Sequence, residues 1–179
     1  QVSLLLLITF ISLKITPSSI RRENDFTWEP VKEVFKLFAT IFITMVPAIA
    51  MLKSGSKGPL KGIISLLSDD NGNSIDMMYF WITGILSAFL DNAPTYLVFF
   101  NTAGGDPAYL MNDGMMTLVA ISAGAVFMGA MSYIGNAPNF MVKSIAEENK
   151  INMPSFFGYM LWSICILVPI LFIFSLIYF

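Results

Sequence analysis

Long apolar runs, separated by short polar segments, dominate this chain of 179 residues. A helix needs roughly 20 apolar residues to cross a bilayer, and several runs approach that length. In chain order the pattern predicts a partial helix at 1–13, a span at 31–52, an interfacial helix at 58–68, a re-entrant hairpin at 77–103, a broken helix at 115–148 and a last span at 156–179. The predicted fold class is therefore all-α, a polytopic protein of transmembrane helices.

The first apolar run is too short to cross a membrane by itself. It covers 2–13 and is followed by Lys14, and no basic n-region of a signal peptide precedes it. The chain also begins with Gln1 rather than Met. We interpret 1–13 as the end of a helix that begins upstream, so a missing N-terminal half is a predicted partner.

One tripeptide, Asn-Ala-Pro, interrupts two of the apolar runs, at 92–94 and at 136–138. Proline in a helix interior removes a backbone hydrogen bond and clashes with the preceding turn, so Pro94 and Pro138, with Gly135, are the predicted helix-break residues. Inside a bilayer, broken backbone is tolerated only where protein or a water-filled cavity covers it. Two breaks in corresponding places therefore favour the binding site of a transporter.

The first break leaves two alternatives for the chain around it. One is a single kinked span over 77–100, and the other is a hairpin that enters through 77–90, turns at 91–95 and returns through 96–103. Neither flank is long enough to cross alone. Polarity concentrated at the turn, followed at once by a loop of Gly, Asp and Pro, favours the hairpin.

The second break fits 115–148 into a bilayer. As one unbroken helix this segment would be about 50 Å long, which exceeds a hydrocarbon core of roughly 30 Å. An interruption at 135–139 accounts for the excess length, so we predict a discontinuous helix here.

Charge and composition narrow the class of protein. The chain is 56% hydrophobic and 12% charged, where a soluble domain carries roughly 25% charged residues. All Lys and Arg lie in 14–61 or 143–150. The segments 14–36 and 143–150 carry seven of the ten and are predicted to be cytoplasmic, against three in the connector 53–61, and the stretch 62–142 is predicted to open to the outside. That stretch holds six acids: Asp69, Asp70, Asp76, Asp91, Asp106 and Asp113.

Several functions are disfavoured by what the sequence lacks. It has no histidine, hence no His-Glu-x-x-His zinc motif, and it shows no P-loop pattern, so we do not predict an enzyme. Its single cysteine, Cys165, cannot form an intrachain disulfide. A net charge of −2 gives no reason to expect a nucleic-acid partner. The lipid bilayer is the predicted environment.

Asp91 is the candidate titrating group. An ionised side chain at the centre of a membrane helix costs about 2.5–3.5 kcal/mol, and such acids mark ion or proton pathways. No basic residue is near in sequence, so Asp91 is protonated, binds a cation or pairs with a residue of the missing half. The alternative is that Asp91 only caps the following half-helix, a role compatible with the others.

Neutral oxygens surround both breaks, as a hard cation such as sodium requires. Alternatively, these side chains only satisfy backbone groups freed at the breaks. The candidate transport and cation-binding residues are Asp91, Asn92, Thr95, Asn136, Asn139, Ser132 and Ser87. The candidate sodium ligands among them are Asp91, Asn92 and Asn136.

At these motifs the chain resembles the ion transporter superfamily. Residues 80–95 are similar to the hairpin-tip motif, and 129–139 to the broken-helix motif, of NhaD-like sodium/proton antiporters and CitMHS-type citrate transporters. The resemblance implies two inverted halves, each with a re-entrant hairpin and a discontinuous helix, and this chain is similar to the C-terminal half. It also implies a site at mid-membrane where the two tips meet, and homodimers occur in this superfamily.

The residues carried over from the resemblance favour a cation. Dicarboxylate members carry Ser-Asn-Thr at such tips, where this chain has 91–93 as Asp-Asn-Ala and 135–137 as Gly-Asn-Ala. A bare carboxylate substrate would be repelled by Asp91 unless a cation bridges them.

The leading hypothesis is therefore a sodium/proton antiporter of the bacterial cytoplasmic (inner) membrane, with no cofactor beyond the transported sodium and proton. The alternatives are a citrate or dicarboxylate transporter with cation- or proton-coupled uptake, and a non-transporting membrane scaffold subunit.

Overall fold

The fold is a bundle of helices in which the two sequence breaks lie at helix junctions. The computed structural model describes residues 1–54, 57–59, 61–69 and 72–179. Within them the backbone is helical, apart from loops and an isolated bridge between Ser68 and Ser74. The α-helices are α1 (Val2–Ile15), α2 (Ser18–Glu23), α3 (Glu29–Lys53), α4 (Lys61–Ile64), α5 (Asp76–Leu90), α6 (Asn92–Thr102), α7 (Pro107–Leu110), α8 (Met115–Met128), α9 (Ala137–Glu148) and α10 (Phe156–Tyr178).

The core lies where α5 crosses α8. A Cβ atom added at Gly124 would lie 2.3 Å from the carbonyl oxygen of Phe80, and one added at Gly84 would lie 2.1 Å from Sδ of Met128. Both glycines therefore allow the two backbones to approach more closely than larger residues would permit, as is typical of helix pairs in membranes. Phe80, Ile121 and Met128 fill the remaining space and are fully buried.

α5 and α6 fold back on each other as a helical hairpin. The rings of Tyr79 and Phe99 pack edge to face with centroids 6.5 Å apart. In a continuous helix, residues 20 positions apart would be separated by about 30 Å. This contact excludes the single kinked span over 77–100. Re-entrant insertion of the hairpin into a membrane stays a prediction.

α8 and α9 are the two parts of a broken helix. α8 is followed by one 3-10 turn, Gly129–Met131, and then by non-helical backbone from Ser132 to Asn136. The break therefore begins earlier than the predicted 135–139. Pro138 and Asn139 belong instead to the first turn of α9, where a proline is tolerated because its missing N–H would have no partner in the helix.

One helix in the described part of the chain is long and apolar enough to cross a membrane, by length and composition alone: α10. It packs on the core through Phe174, whose ring centroid is 5.7 Å from that of Phe80, and through a hydrogen bond from Trp81 Nε1 to Ser175 Oγ of 3.2 Å. Large apolar side chains such as Trp162 remain exposed on its other face.

The other predicted membrane segments differ in how much helix they contain. α3 covers the predicted span 31–52 and includes Pro47. The predicted interfacial segment 58–68 holds α4 and a 3-10 turn, Ser65–Leu67. Residue 60 of that segment, and Asp70, lie outside the described residues. The positions of these segments relative to a membrane stay predictions.

α3 and α9 are joined by polar side chains. Ser144 Oγ donates to Glu33 Oε2 at 2.6 Å, and Thr27 hydrogen-bonds Glu148. Ser144 is buried in this contact. The second half of the broken helix is thereby attached to the N-terminal end of α3.

Candidate functional site

The two Asn-Ala-Pro breaks meet through the side chain of Asn92. Its amide group faces the carbonyl oxygens of Ala125 and Gly135 and the hydroxyl of Ser87, all hydrogen-bond acceptors. The amide nitrogen must therefore point toward them, an assignment made from the hydrogen-bond network. In this orientation the nitrogen, which carries two hydrogens, lies within hydrogen-bonding distance of three acceptors: the carbonyl oxygens of Ala125 at 2.8 Å and Gly135 at 3.0 Å, and Ser87 Oγ at 2.9 Å. Asn92 thus links the hairpin tip to α8 and to the second break.

Ser132 makes the second connection between the breaks. Its hydroxyl donates to the carbonyl of Ala88, in the last turn of α5. The same oxygen accepts from the backbone N–H of Ile134 at 3.2 Å and of Gly135 at 3.0 Å. Ser132 therefore satisfies backbone groups on both sides of the junction, which is the alternative role considered for these side chains.

Glycine is required at two positions of the junction. A Cβ atom added at Gly135 would lie 2.6 Å from the carbonyl oxygen of Gly129 and 2.9 Å from that of Ala88. One added at Gly129 would lie 2.2 Å from the side-chain amide of Asn92, at the position that its nitrogen takes in this orientation. Backbone oxygens cannot move aside as a flexible side chain can, so the second break closes on the hairpin only when residue 135 has no side chain.

Asp91 occupies a strained backbone position between α5 and α6. Its φ of 79° and ψ of 152° lie in a region that is essentially reserved for glycine. The half-buried carboxylate accepts from the backbone N–H of Asn92 at 2.5 Å, so it does cap α6. No ion pair involves Asp91 within the part of the chain that the structure describes. The cap leaves most of the carboxylate's acceptor capacity unused.

The remaining predicted ligands also make hydrogen bonds to backbone. Thr95 Oγ1 donates to the carbonyl of Asp91 at 2.7 Å, and Ser87 Oγ donates to that of Ala125 at 2.6 Å. Asn139 Nδ2 donates to the carbonyls of Gly129 and Ser132, each at 3.1 Å. These hydrogen bonds stabilise the backbone conformation of the two breaks.

Oxygen atoms suited to a cation remain at the junction. Asn139 uses its amide nitrogen for the bonds above, and its oxygen has no hydrogen-bond partner among the described residues. Asn136 occupies the N-cap position of α9 without a side-chain cap hydrogen bond. Asp91, Asn136 and Asn139 offer one carboxylate and two neutral oxygens, the ligand types that hard cations prefer. No group of three or more His, Cys, Asp or Glu able to hold a metal occurs in the described residues.

A lateral recess of about 630 Å³ gives access to the junction. It is lined by Asn92, Ala93 and Tyr96 on one side and by Ser122 and Ala125 on the other. The sequence analysis missed the carbonyl groups of Ala88 and Ala125, because a backbone oxygen leaves no signal in residue types. Gly129 begins the 129–139 motif but was not among the candidate site residues; the signal for it is a glycine six positions before Gly135.

An all-α chain in which two polar helix breaks are joined side to side is the arrangement of a membrane transporter. The family model described as "Putative citrate transport" (CitMHS_2) matches residues 1–179, so the chain belongs to this family. Membership makes it a citrate-transporter-type ion transporter and an integral membrane protein, and confirms the CitMHS-type resemblance of its two motifs. No curated protein matches the chain, and no solved structure does.

Proposed function

We propose that this chain forms the cation site of a secondary active transporter and that Asp91 exchanges a proton for a transported cation, with sodium as the first ion to test. One observation carries the proposal. Asp91 is the acid at the hydrogen-bonded junction of the two breaks, and the stretch from 62 to 142 contains no Lys or Arg to neutralise it.

The exchange follows from competition for one carboxylate. When ionised, Asp91 attracts a cation that the amide oxygens of Asn136 and Asn139 help to coordinate. When protonated, the carboxyl group is neutral and acts as a donor, so it holds the cation far less strongly. A proton arriving from one side would release the ion, and an ion arriving from the other would release the proton.

Movement of the site is part of the proposal. Asn92 and Ser132 tie the hairpin tip to the second break, so both breaks would move together. We propose that this unit rocks or slides against the other helices, which would open the site alternately to the two sides of the membrane.

The test is Asp91→Asn in the intact transporter, reconstituted into liposomes and driven by a pH gradient. Uptake of radioactive sodium is expected to fall by about 100-fold or more, because an amide cannot release a proton at this position. Asp106→Asn is the matched control, since Asp106 lies in a loop and caps α7, a role that asparagine retains. Unchanged exchange in Asp91→Asn, with normal elution on size-exclusion chromatography, would disprove the mechanism.

The family description favours a second candidate, citrate transport. A bare citrate anion would be repelled by Asp91, so we propose that in this case a cation bridges the two carboxylates. Saturable uptake of radioactive citrate that requires an added cation, with no sodium-driven proton movement, would support this candidate over antiport. A non-transporting scaffold subunit would leave both assays at the level of empty liposomes. An upstream half and a second copy of the chain stay predicted partners.

A further inference from the structure

Thr83, in the middle of α5, is buried but lacks a hydrogen-bond partner. Its side chain is 0% exposed, and its Oγ1 atom has no partner among the residues that the structure describes. Other hydroxyls in these helices donate to the carbonyl four residues earlier; they belong to Thr95, Thr102, Ser122 and Ser163. Thr83 is therefore unusual within the molecule. An unpaired hydroxyl in a dry interior is costly, so a small polar ligand is expected there.

The position of Thr83 shows which polar groups such a ligand would connect. Asp76, Tyr79, Thr83 and Ser87 follow one another on a single face of α5, at intervals of three or four residues. Both ends of this polar stripe contact α8. Thr117 Oγ1 donates to Asp76 Oδ1 at 2.5 Å, and Ser87 Oγ donates to the carbonyl of Ala125 at 2.6 Å. Thr83 therefore lies between α5 and α8, within the polar stripe.

Each end of the polar stripe reaches a polar region. At the open end of the hairpin is a recess of about 420 Å³, lined by Asp76, Tyr79, Asp113 and Thr117 among others. At the other end, Ser87 contacts the side chain of Asn92, next to Asp91. The distance along α5 from Asp76 to Ser87 is about 17 Å. Thr83 and Ser87 are four residues apart, with about 6 Å between their Cβ atoms, a gap that one water molecule bridges.

We propose that Thr83 marks a buried water-binding position and that the polar stripe is a hydrated path between this recess and the hairpin tip. Its role as a proton path rests on the proposed function. A proton enters the path on a water molecule at the hairpin tip. Each hydroxyl or water along the path then donates one hydrogen as it accepts another, and a proton emerges in the recess. Hydroxyl groups suit this relay because they both donate and accept.

Cysteine labelling tests whether the path is hydrated, independently of transport. In a Cys165→Ser background, which removes the exposed native thiol, we compare Thr83→Cys with Ala120→Cys, a position that is also 0% exposed. A thiolate, which needs water to form, attacks a small water-soluble methanethiosulfonate reagent, forming a disulfide and releasing methanesulfinate, so Thr83→Cys is expected to react about tenfold faster or more. Equal rates at the two positions would overturn the proposal.

Transport assays test the proton role. Thr83→Val removes the hydroxyl group but keeps nearly the same side-chain shape. It is expected to slow proton-coupled uptake about tenfold and to leave the half-saturating cation concentration unchanged. Thr83→Ser retains a hydroxyl group and is expected to keep the wild-type rate. Normal uptake rates in Thr83→Val would refute proton transfer along the polar stripe without contradicting the proposed exchange at Asp91. Normal exchange in Asp91→Asn would refute the antiport mechanism. Fast labelling of Thr83→Cys in the same set of experiments would still support the hydrated path.

Discussion

The two Asn-Ala-Pro breaks share a sequence but differ in backbone. At the first, a single residue, Asp91, separates α5 from α6, and it takes up a conformation that costs an L-amino acid strain. At the second, the non-helical stretch from Ser132 to Asn136 separates the 3-10 turn from α9. The first break is thus short, strained and charged, whereas the second is longer and exposes backbone carbonyl groups.

The two asparagines also have different roles. Asn92 lies in the first turn of α6 and donates to the carbonyls of Ala125 and Gly135. Asn136 lies one residue before α9, and its side chain makes no cap hydrogen bond. The same tripeptide thus gives a cross-link at one break and an available oxygen at the other. The two asparagines differ because Asp91, before Asn92, is the N-cap of α6, whereas Asn136 is itself the N-cap of α9.

Gly135→Ala should have the largest effect on folding. The new Cβ would lie 2.6 Å from one backbone oxygen and 2.9 Å from another, so the junction must open, at a cost of about 3 kcal/mol of unfolding free energy. Thermal unfolding in detergent measures the loss. Gly62→Ala is the control, since nothing lies within 4 Å of its Cβ. Equal stability of the two variants would show that the breaks do not touch.

Asn92→Ala and Asn136→Ala form a matched pair that tests the different roles of the asparagines. The first removes the side-chain donor to the carbonyl of Gly135, whereas the carbonyl of Ala125 keeps that of Ser87, and it is expected to lower the free energy of unfolding by about 2 kcal/mol. The second removes no hydrogen bond and should change stability by less than about 0.5 kcal/mol, while weakening cation affinity about tenfold through the loss of one oxygen ligand. Unfolding in detergent and cation titration measure the two quantities. The reverse pattern would contradict the assigned roles.

Asp91→Gly and Asp91→Ala separate the effect of backbone strain from that of charge at the first break. Both remove the carboxylate, so both should lack exchange. Glycine adopts the φ of 79° freely, so Asp91→Gly is expected to be more stable than Asp91→Ala by about 1–2 kcal/mol. Comparison of their melting temperatures in the same detergent measures the difference. If alanine were tolerated as well as glycine, Asp91 would not be strained.

Sequence patterns predicted much of the fold. The apolar run at 156–179 predicted α10, and the excess length of 115–148 predicted an interrupted helix. The predicted position of the second break, 135–139, was wrong, since the non-helical stretch runs from Ser132 to Asn136. Pro138 did not mark the break itself because a proline is compatible with the first turn of a helix. The choice between a kinked span and a hairpin needed a contact between residues distant in sequence, that of Tyr79 with Phe99.

The candidate site was predicted in its residue types but not in the roles of those residues. Asp91 and the two asparagines followed from polarity within apolar runs. Sequence alone left open whether Ser87, Thr95, Ser132 and Asn139 bind a cation or satisfy the backbone, and the structure shows their bonds to backbone groups. The unpaired hydroxyl of Thr83 had no sequence signal, since a threonine in a helix ordinarily bonds its own backbone.

By itself, then, the sequence determined that this is a helical membrane protein with two polar helix breaks, each followed by a proline, and one acid at the first. These properties follow from local chemistry: hydropathy, proline geometry and the cost of burying charge. Only the tertiary structure decided that Asn92 joins the breaks, that Gly135 must lack a side chain and that the Asp91 carboxylate caps α6 without an ion-pair partner among the described residues. Those outcomes depend on which backbone carbonyls of distant helices come within hydrogen-bonding distance, which residue types alone do not encode.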